Sequence, residues 1–284
     1  MSQRLFISLS ATIGISLLIH NSLRLRADAT DLTTTTPIVA HRGASKAAPE
    51  NTIPAFQEAW QQGADAIEGD FHLSKDGVIV CVHDANIRRY TGKNLQVRNL
   101  TLKQLKTYDF GKWHDPKFTG TTIPTLQEVL TTIPTGKKIY IEIKSDATLV
   151  PILLKQLKTS ELATDQFVII SFHAEVIKAV EQARPELKTF WLTSFKRDGN
   201  GNQTPSTQTI LSTLHRLGTD GVSTHYDGAT PARVKALKQA GYEYHVWTVD
   251  HIDLAQRLLK AGVQSITTNI PGKLRNGITS TLSR

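Results

Sequence analysis

Glu68 and Asp70 stand two residues apart in Ala66-Ile67-Glu68-Gly69-Asp70-Phe71, and Glu142 and Lys144 repeat that spacing in Ile139-Tyr140-Ile141-Glu142-Ile143-Lys144. In an extended strand, side chains two apart share a face. Two carboxylates on one face repel, and they persist inside a protein only beside positive charge. Carboxylates from two strands together form an all-oxygen site for one divalent cation, Ca2+ or Mg2+, with Glu68, Asp70 and Glu142 as ligands. The competing reading, a solvated ion-pair face, fits poorly with the apolar neighbours Ile141 and Ile143. His41 and His83 each end an apolar run. One such histidine is more often structural. Two beside a carboxylate cluster point to proton transfer, because imidazole titrates near neutrality. Arg42 and Lys144 supply cations for phosphate oxygens, Arg42 through a planar fork.

The elements that must position these residues alternate along the chain. Short apolar runs predict strands over 38–40, 66–71, 78–82, 139–143, 167–172, 189–192, 221–223, 244–249 and 265–268. Helical periodicity falls between them, over about 53–62, 149–157, 176–183, 210–217 and 232–240. Asn51-Thr52 offers the first helix an N-cap, Pro54 suits its first turn and Gly63 its end. Strands alternating with helices imply a parallel sheet, and about eight such units imply an α/β (β/α)8 TIM barrel occupying 37–275. Catalytic groups gather at the C-terminal mouth of such a barrel. The count is irregular, because the link between the second and third runs is short and holds Asp76-Gly77. That reads as a tight turn with no room for a crossover helix. One strand is therefore extra, or the barrel is distorted there. If the third strand returned antiparallel it would carry His83 away from the mouth, so the chain is expected to loop back. Residues 84–122 hold one helical pattern (Leu102, Leu105) and read as an insertion over one barrel face.

The chain has 284 residues, 39% of them hydrophobic and 20% charged, enough for one large core. Residues 1–29 read as a signal peptide, or as an N-terminal anchor. Arg4 precedes an uncharged, mostly apolar stretch from Leu5 to Ile19, and Ala27-Asp28-Ala29 resembles a cleavage site. The expectation is an exported protein, periplasmic or extracellular, with membrane contact only through that segment. The net charge of +8 falls to +6 without residues 1–29, and the basic residues are scattered. This argues against nucleic-acid binding and is compatible with anionic small molecules. The single cysteine, Cys81, excludes an internal disulfide and reads as a small buried hydrophobe. Nothing implies a stable protein partner.

Several motifs occur in a fixed order: His41-Arg42-Gly43, Pro49-Glu50-Asn51-Thr52, Gly63-Ala64-Asp65, Glu68-x-Asp70, Leu73-Ser74-Lys75-Asp76-Gly77 and Val82-His83-Asp84. Arg89, Thr91-Gly92, Ile123-Pro124-Thr125-Leu126, Ile141-Glu142-Ile143-Lys144, Val246-Trp247-Thr248-Val249 and Thr268-Asn269-Ile270-Pro271 follow. The ordered set resembles the glycerophosphodiester phosphodiesterase family over roughly 37–273. The resemblance implies metal-dependent hydrolysis of glycerophosphodiesters to sn-glycerol 3-phosphate and an alcohol. It implies His41 and His83 as acid–base residues, Glu68, Asp70 and Glu142 as metal ligands, and Arg42 and Lys144 at the phosphate. Glu50 matches a site-lining carboxylate that orients Arg42, and Trp247 an aromatic near the mouth. Asn269 departs from the family's usual Asp, Ser74 from its usual Thr, and the segment around Lys196-Arg197-Asp198 looks individual, reading best as a solvated loop. Alternatives are a lysophospholipase D, a lyase that stops at a cyclic phosphate, and a non-catalytic phosphodiester-binding module. Retention of every charged or titratable site position argues against the last.

Overall fold

A computed structural model of the chain describes residues 36–201 and 203–282. The expected signal segment at 1–29 lies outside them. Eleven strands are present among the described residues: β1 Ile38–Ala40, β2 Ala66–Leu73, β3 Ile79–Cys81, β4 Lys138–Ile143, β5 Phe167–Ser171, β6 Lys188–Thr193, β7 Lys196–Arg197, β8 Gln203–Thr204, β9 Gly221–His225, β10 Glu243–Trp247 and β11 Ser265–Thr268. Eight of them run parallel in the order β1-β11-β10-β9-β6-β5-β4-β2, and β1 pairs with β2 to close the barrel. Their near-continuous apolar runs are those of strands buried on both faces.

Alternation sorts each strand's side chains. Ile67, Phe71, Ile139, Ile141, Ile143 and Ile169 face outward and pack with Leu126, Val129, Leu153, Val176 and Val180 of the surrounding helices. Val39, Ala66, Tyr140, Val168, Ile170, Phe190 and Leu192 cluster separately inside the barrel. Fully burying one such Ile or Phe stabilises the fold by roughly 1.5–3 kcal/mol. The other half of the barrel repeats the arrangement, with Val222, Tyr244, Val246 and Ile266 against Ile210, Val234, Leu237 and Leu258. Helices without a sequence-based expectation occupy Leu126–Leu130, Ile252–Ala261 and Pro271–Leu282. The first has five residues, too few to stand alone. It is held by its buried Leu126, Val129 and Leu130 and by a Thr125–Glu128 capping box.

The extra strand is β3. It pairs antiparallel with β2, Phe71 opposite Cys81 and Leu73 opposite Ile79. The turn is tied by Ser74: its N–H donates to the Val78 carbonyl (2.9 Å) and its hydroxyl to Asp76 (2.6 Å), while Gly77 takes φ +76°. His83 reaches the mouth as expected, but on an antiparallel strand, which therefore does not carry it away. β2 pairs with β4 only as far as Phe71 opposite Ile143, and then continues through His72 and Leu73 beyond the mouth. The hairpin therefore projects above the barrel, and β3 descends to it. Val82 N–H donates to the Asp70 carbonyl at 2.8 Å, which places His83 at the height of the acidic residues.

The segment 84–122 carries the short helices Arg88–Thr91 and Leu102–Leu105 and packs a separate core of Val80, Val82, Ile87, Tyr90, Leu105, Phe110 and Ile123. The loop expected around Lys196-Arg197 forms a small antiparallel ribbon, β7 with β8. Among the described residues no helix is long and apolar enough to cross a membrane.

Candidate active site

All of the expected residues come together at the mouth, where the C-terminal ends of the strands meet. Glu68 and Asp70 point inward from β2. The register sets Asp70 beside Glu142 of β4. One carboxylate oxygen from each of Glu68, Asp70 and Glu142 lies within 4.8 Å of the others, and all three residues are buried. Lys144 Nζ sits 2.7 Å from Glu142 Oε1 and 3.4 Å from Asp70 Oδ1. Arg42 Nε lies 3.1 Å from Asp70 Oδ2. Three carboxylates against two cations leave one negative charge. Glu68 Oε1 is buried and has no hydrogen-bond partner. A buried acceptor left this way costs about 1–3 kcal/mol. The residues thus fit a divalent cation, which would take up that oxygen and the excess charge.

Electrostatics agree. Burial, then Asp70 and Glu142, push the Glu68 carboxyl well above the usual range. Burial, then Asp70, push Glu142 up to about 7. Burial works the same way on Asp70, but Arg42, Lys144 and His83 outweigh it and hold that carboxyl low.

The loop after β1 turns sharply to form one wall. Arg42 adopts φ 55° and Asn51 φ 57°, both left-handed. That turn aims Arg42 N–H at Glu68 Oε2 (2.9 Å) and Arg42 Nη1 at Glu50 Oε1 (3.1 Å). Gly43 follows at φ +80°, where a Cβ would lie 2.5 Å from the Ala55 backbone. Asn51 does not cap the next helix. Thr52 is the N-cap of Ile53–Gln61, with no side-chain cap bond. The Asn51 amide instead clasps Asp70, donating to Oδ2 (2.7 Å) and accepting from the Asp70 N–H (3.0 Å). The Cys81 thiol, buried as expected, donates to the same Asn51 oxygen at 3.1 Å.

His83 is oriented from the insertion. Its Nδ1 lies 2.7 Å from Asp84 Oδ1, and Arg89 Nε donates to Asp84 Oδ2 at 2.8 Å. Arg89 Nη2 and the Tyr90 hydroxyl both reach Glu50 Oε1, at 2.5 and 3.1 Å. Glu50 therefore ties Arg42 on one side to the His83 support on the other. His72 holds the His83 carbonyl through Nε2 (3.1 Å). His41 Nδ1 lies 2.8 Å from Asn269 Oδ1, and burial, then Arg42, lower its pKa to about 4.

His41, Arg42, Glu68, His83, Glu142 and Lys144 line a cleft of about 140 Å3 together with Phe172, Leu192, Trp247 and Thr267. That is well below the roughly 300–1,000 Å3 of pockets for drug-sized ligands, and suits a small head group. Trp247 meets Phe172 edge-on, with ring centroids 5.6 Å apart. Phe172 is 41% exposed, so one wall of the mouth is aromatic and open to water. Sequence reasoning assigned no site role to Asn51, Asp84, Phe172 or Asp250. Asn51 and Asp84 stand inside quoted motifs, which was the available signal; Phe172 and Asp250 carry none that spacing reveals.

The comparisons with known proteins agree in sequence and in shape. The model of the glycerophosphoryl diester phosphodiesterase family matches residues 41–273. A glycerophosphodiester phosphodiesterase of Caldanaerobacter subterraneus is 36% identical over 85% of this chain and 97% of its own length. One from Bacillus subtilis is 31% identical over 82% of this chain and 83% of its own. Among solved structures, an Oleispira antarctica phosphodiesterase in complex with the product sn-glycerol-3-phosphate superposes with a TM-score of 0.76 at 27% identity, covering 86% of this chain and 96% of that one. With the family's span of 41–273 covering every residue of this cleft and every barrel strand but β1, the chain belongs to the glycerophosphoryl diester phosphodiesterase family and is an enzyme of that class.

Proposed function

We propose that the chain hydrolyses glycerophosphodiesters to sn-glycerol 3-phosphate and a free alcohol, using one divalent cation, Ca2+ or Mg2+, and two histidines. The observation that carries this reading is the convergence of an unpartnered buried carboxylate oxygen, two further carboxylates, two cations and two oriented imidazoles on one small cleft. Glu68, Asp70 and Glu142 hold the cation. When bound, it supplies Lewis-acid stabilisation of charge on the phosphoryl oxygens. Arg42 and Lys144 bind the non-bridging oxygens and keep the diester in line with the histidines. One histidine removes a proton from the attacking oxygen as its bond to phosphorus forms. The other protonates the alcohol oxygen as its bond to phosphorus breaks. The product named for the Oleispira antarctica relative is the one expected here. Phosphorus NMR of a glycerophosphocholine digest tests the outcome. A single sn-glycerol 3-phosphate resonance is expected. A lasting cyclic phosphate would establish a lyase instead, and turnover confined to lysophospholipid would establish a lysophospholipase D. We further propose export of the catalytic domain, on the strength of residues 1–29; N-terminal sequencing of protein recovered from outside the cytoplasm tests it.

A further inference from the structure

His41 is held by a relay that the two-histidine chemistry does not itself require. Asp250, just after β10, accepts three hydrogen bonds from the segment after β11. Thr268 Oγ1 donates to Oδ1 at 2.9 Å, the Asn269 N–H to Oδ1 at 2.8 Å, and Asn269 Nδ2 to Oδ2 at 2.6 Å. An ionised carboxylate can only accept. The Asn269 amide must therefore turn its NH2 toward Asp250, since the opposite orientation would set two bare oxygens 2.6 Å apart. Its carbonyl oxygen then faces His41 Nδ1 at 2.8 Å and also accepts from Ser45 Oγ at 2.8 Å. A carbonyl oxygen cannot donate, so Nδ1 must carry the hydrogen. His41 lines the cleft, and Nε2 is left as its proton-accepting nitrogen.

We propose that Asp250, acting through Asn269, is a positioning residue that locks His41 in the tautomer protonated on Nδ1. This rests on the reading of His41 as an acid–base residue. A neutral imidazole with its hydrogen on the wrong nitrogen cannot exchange a proton with substrate, however well the ring is placed. The device also gives the amide at position 269 a physical purpose. A carboxylate there would confront Asp250 directly. The amide instead passes the orientation set by Asp250 on to His41 without placing a charge beside the ring.

The experiment is a variant cycle on the full chain. In D250N the new amide keeps its oxygen toward Thr268 Oγ1 and the Asn269 N–H, so its NH2 faces the Asn269 side chain, which must turn its own NH2 toward His41 and lose the orientation Asp250 sets. We expect kcat to fall about 10- to 100-fold, the usual cost of losing a partner that orients a functional histidine. KM stays at the wild-type value, because Asp250 accepts its hydrogen bonds from Thr268 and Asn269, neither of which lines the cleft. N269D alone sets two carboxylates against each other and is expected to be worse. The exchange D250N/N269D reverses donor and acceptor only between the two side chains: the amide oxygen at 250 still accepts from Thr268 Oγ1 and the 269 N–H, and the new carboxylate still accepts from His41 Nδ1. It is expected to recover most of kcat. Nitrogen NMR of ring-labelled histidine reads the tautomer directly: Nδ1 pyrrole-like and Nε2 pyridine-like in wild type and the exchange variant, shifted toward the opposite assignment in D250N. A merely structural role would lower melting temperature without moving these resonances. Wild-type kcat or an unchanged ring pattern in D250N would overturn the proposal, as would a folded exchange variant that stays as slow as N269D. H41A separates this from failure of the reading beneath it. An inactive H41A beside a fully active D250N refutes the relay alone, whereas wild-type turnover by H41A refutes both.

Discussion

The cation proposed for this cleft would compete there with protons, and the competition can be read as a melting temperature. In the metal-free protein Glu142 is pushed from the usual 4.5 up to about 7 by burial and then by Asp70. A carboxyl whose folded value is raised favours the fold while it is protonated. Its full contribution is present below pH 4.5 and is lost as pH rises toward 7. The loss is of order 3 kcal/mol, at about 1.4 kcal/mol per pH unit. Glu68 is raised by the same kind of burial and crowding and acts in the same direction. Asp70 is held low, so its contribution disappears only at more acidic pH and does not compensate in this window. A cation reverses the cost by pairing with the ionised carboxylates. At pH 8, with Ca2+ or Mg2+ at about 100 times its Kd, linkage gives about 2.7 kcal/mol. For a domain of this size that is a rise of about 5–10 °C in melting temperature. At pH 5 Glu142 is protonated, and one displaced proton weakens apparent affinity about 100-fold over two pH units. The same cation concentration then contributes only about 0.4 kcal/mol, or roughly 1 °C. Differential scanning calorimetry of chelator-treated protein, with and without cation, at pH 5 and pH 8 is the assay. E142Q should lose most of the pH 8 rise. An equal rise at both pH values, or none at pH 8, would refute this account of the carboxylates.

Three further outcomes follow from the same contacts. His41→Ala and His83→Ala should each lower kcat by roughly 10²–10⁴ in steady-state assays, the range for loss of a general acid or base; wild-type turnover from either removes it from the mechanism. Asn51→Ala strips both amide bonds from buried Asp70 and should cost about 1–3 kcal/mol in urea denaturation; an unchanged midpoint would show that the clasp is dispensable. Gly43→Ala forces a Cβ to 2.5 Å from the Ala55 backbone at φ +80°. Strain of this kind costs about 1–3 kcal/mol or more, so lost soluble yield or a sharply lower melting temperature is expected, and wild-type stability would contradict it.

Much of this architecture is legible in the chain because its signals are local. The parallel strands read as unbroken apolar runs, and period-two spacing alone pairs Glu68 with Asp70 and Glu142 with Lys144 on the inward faces of β2 and β4. The direction of His83 was not legible. It depends on how far β2 outruns its pairing with β4, a matter of register between segments about seventy residues apart in the chain. Asn51 misled for a related reason. Its type and position suit a helix cap, but its left-handed backbone turns the amide toward Asp70, and no local pattern reports that partner. The helix Ile252–Ala261 had a readable apolar spacing in Ile252, Ala255 and Leu258, so its omission was a missed signal rather than a missing one. The support of His41 by Asp250 joins two loops through one amide, and only the folded barrel brings them within reach.

Turnover of glycerophosphocholine by the same protein sample, stripped of metal by chelator and then reloaded with Ca2+ or Mg2+, tests the central claim most directly. The account predicts no release of choline from the stripped protein and restored release on reloading, with sn-glycerol 3-phosphate formed in equal amount. Full activity in the metal-free protein, or none after reloading with either cation, would contradict it.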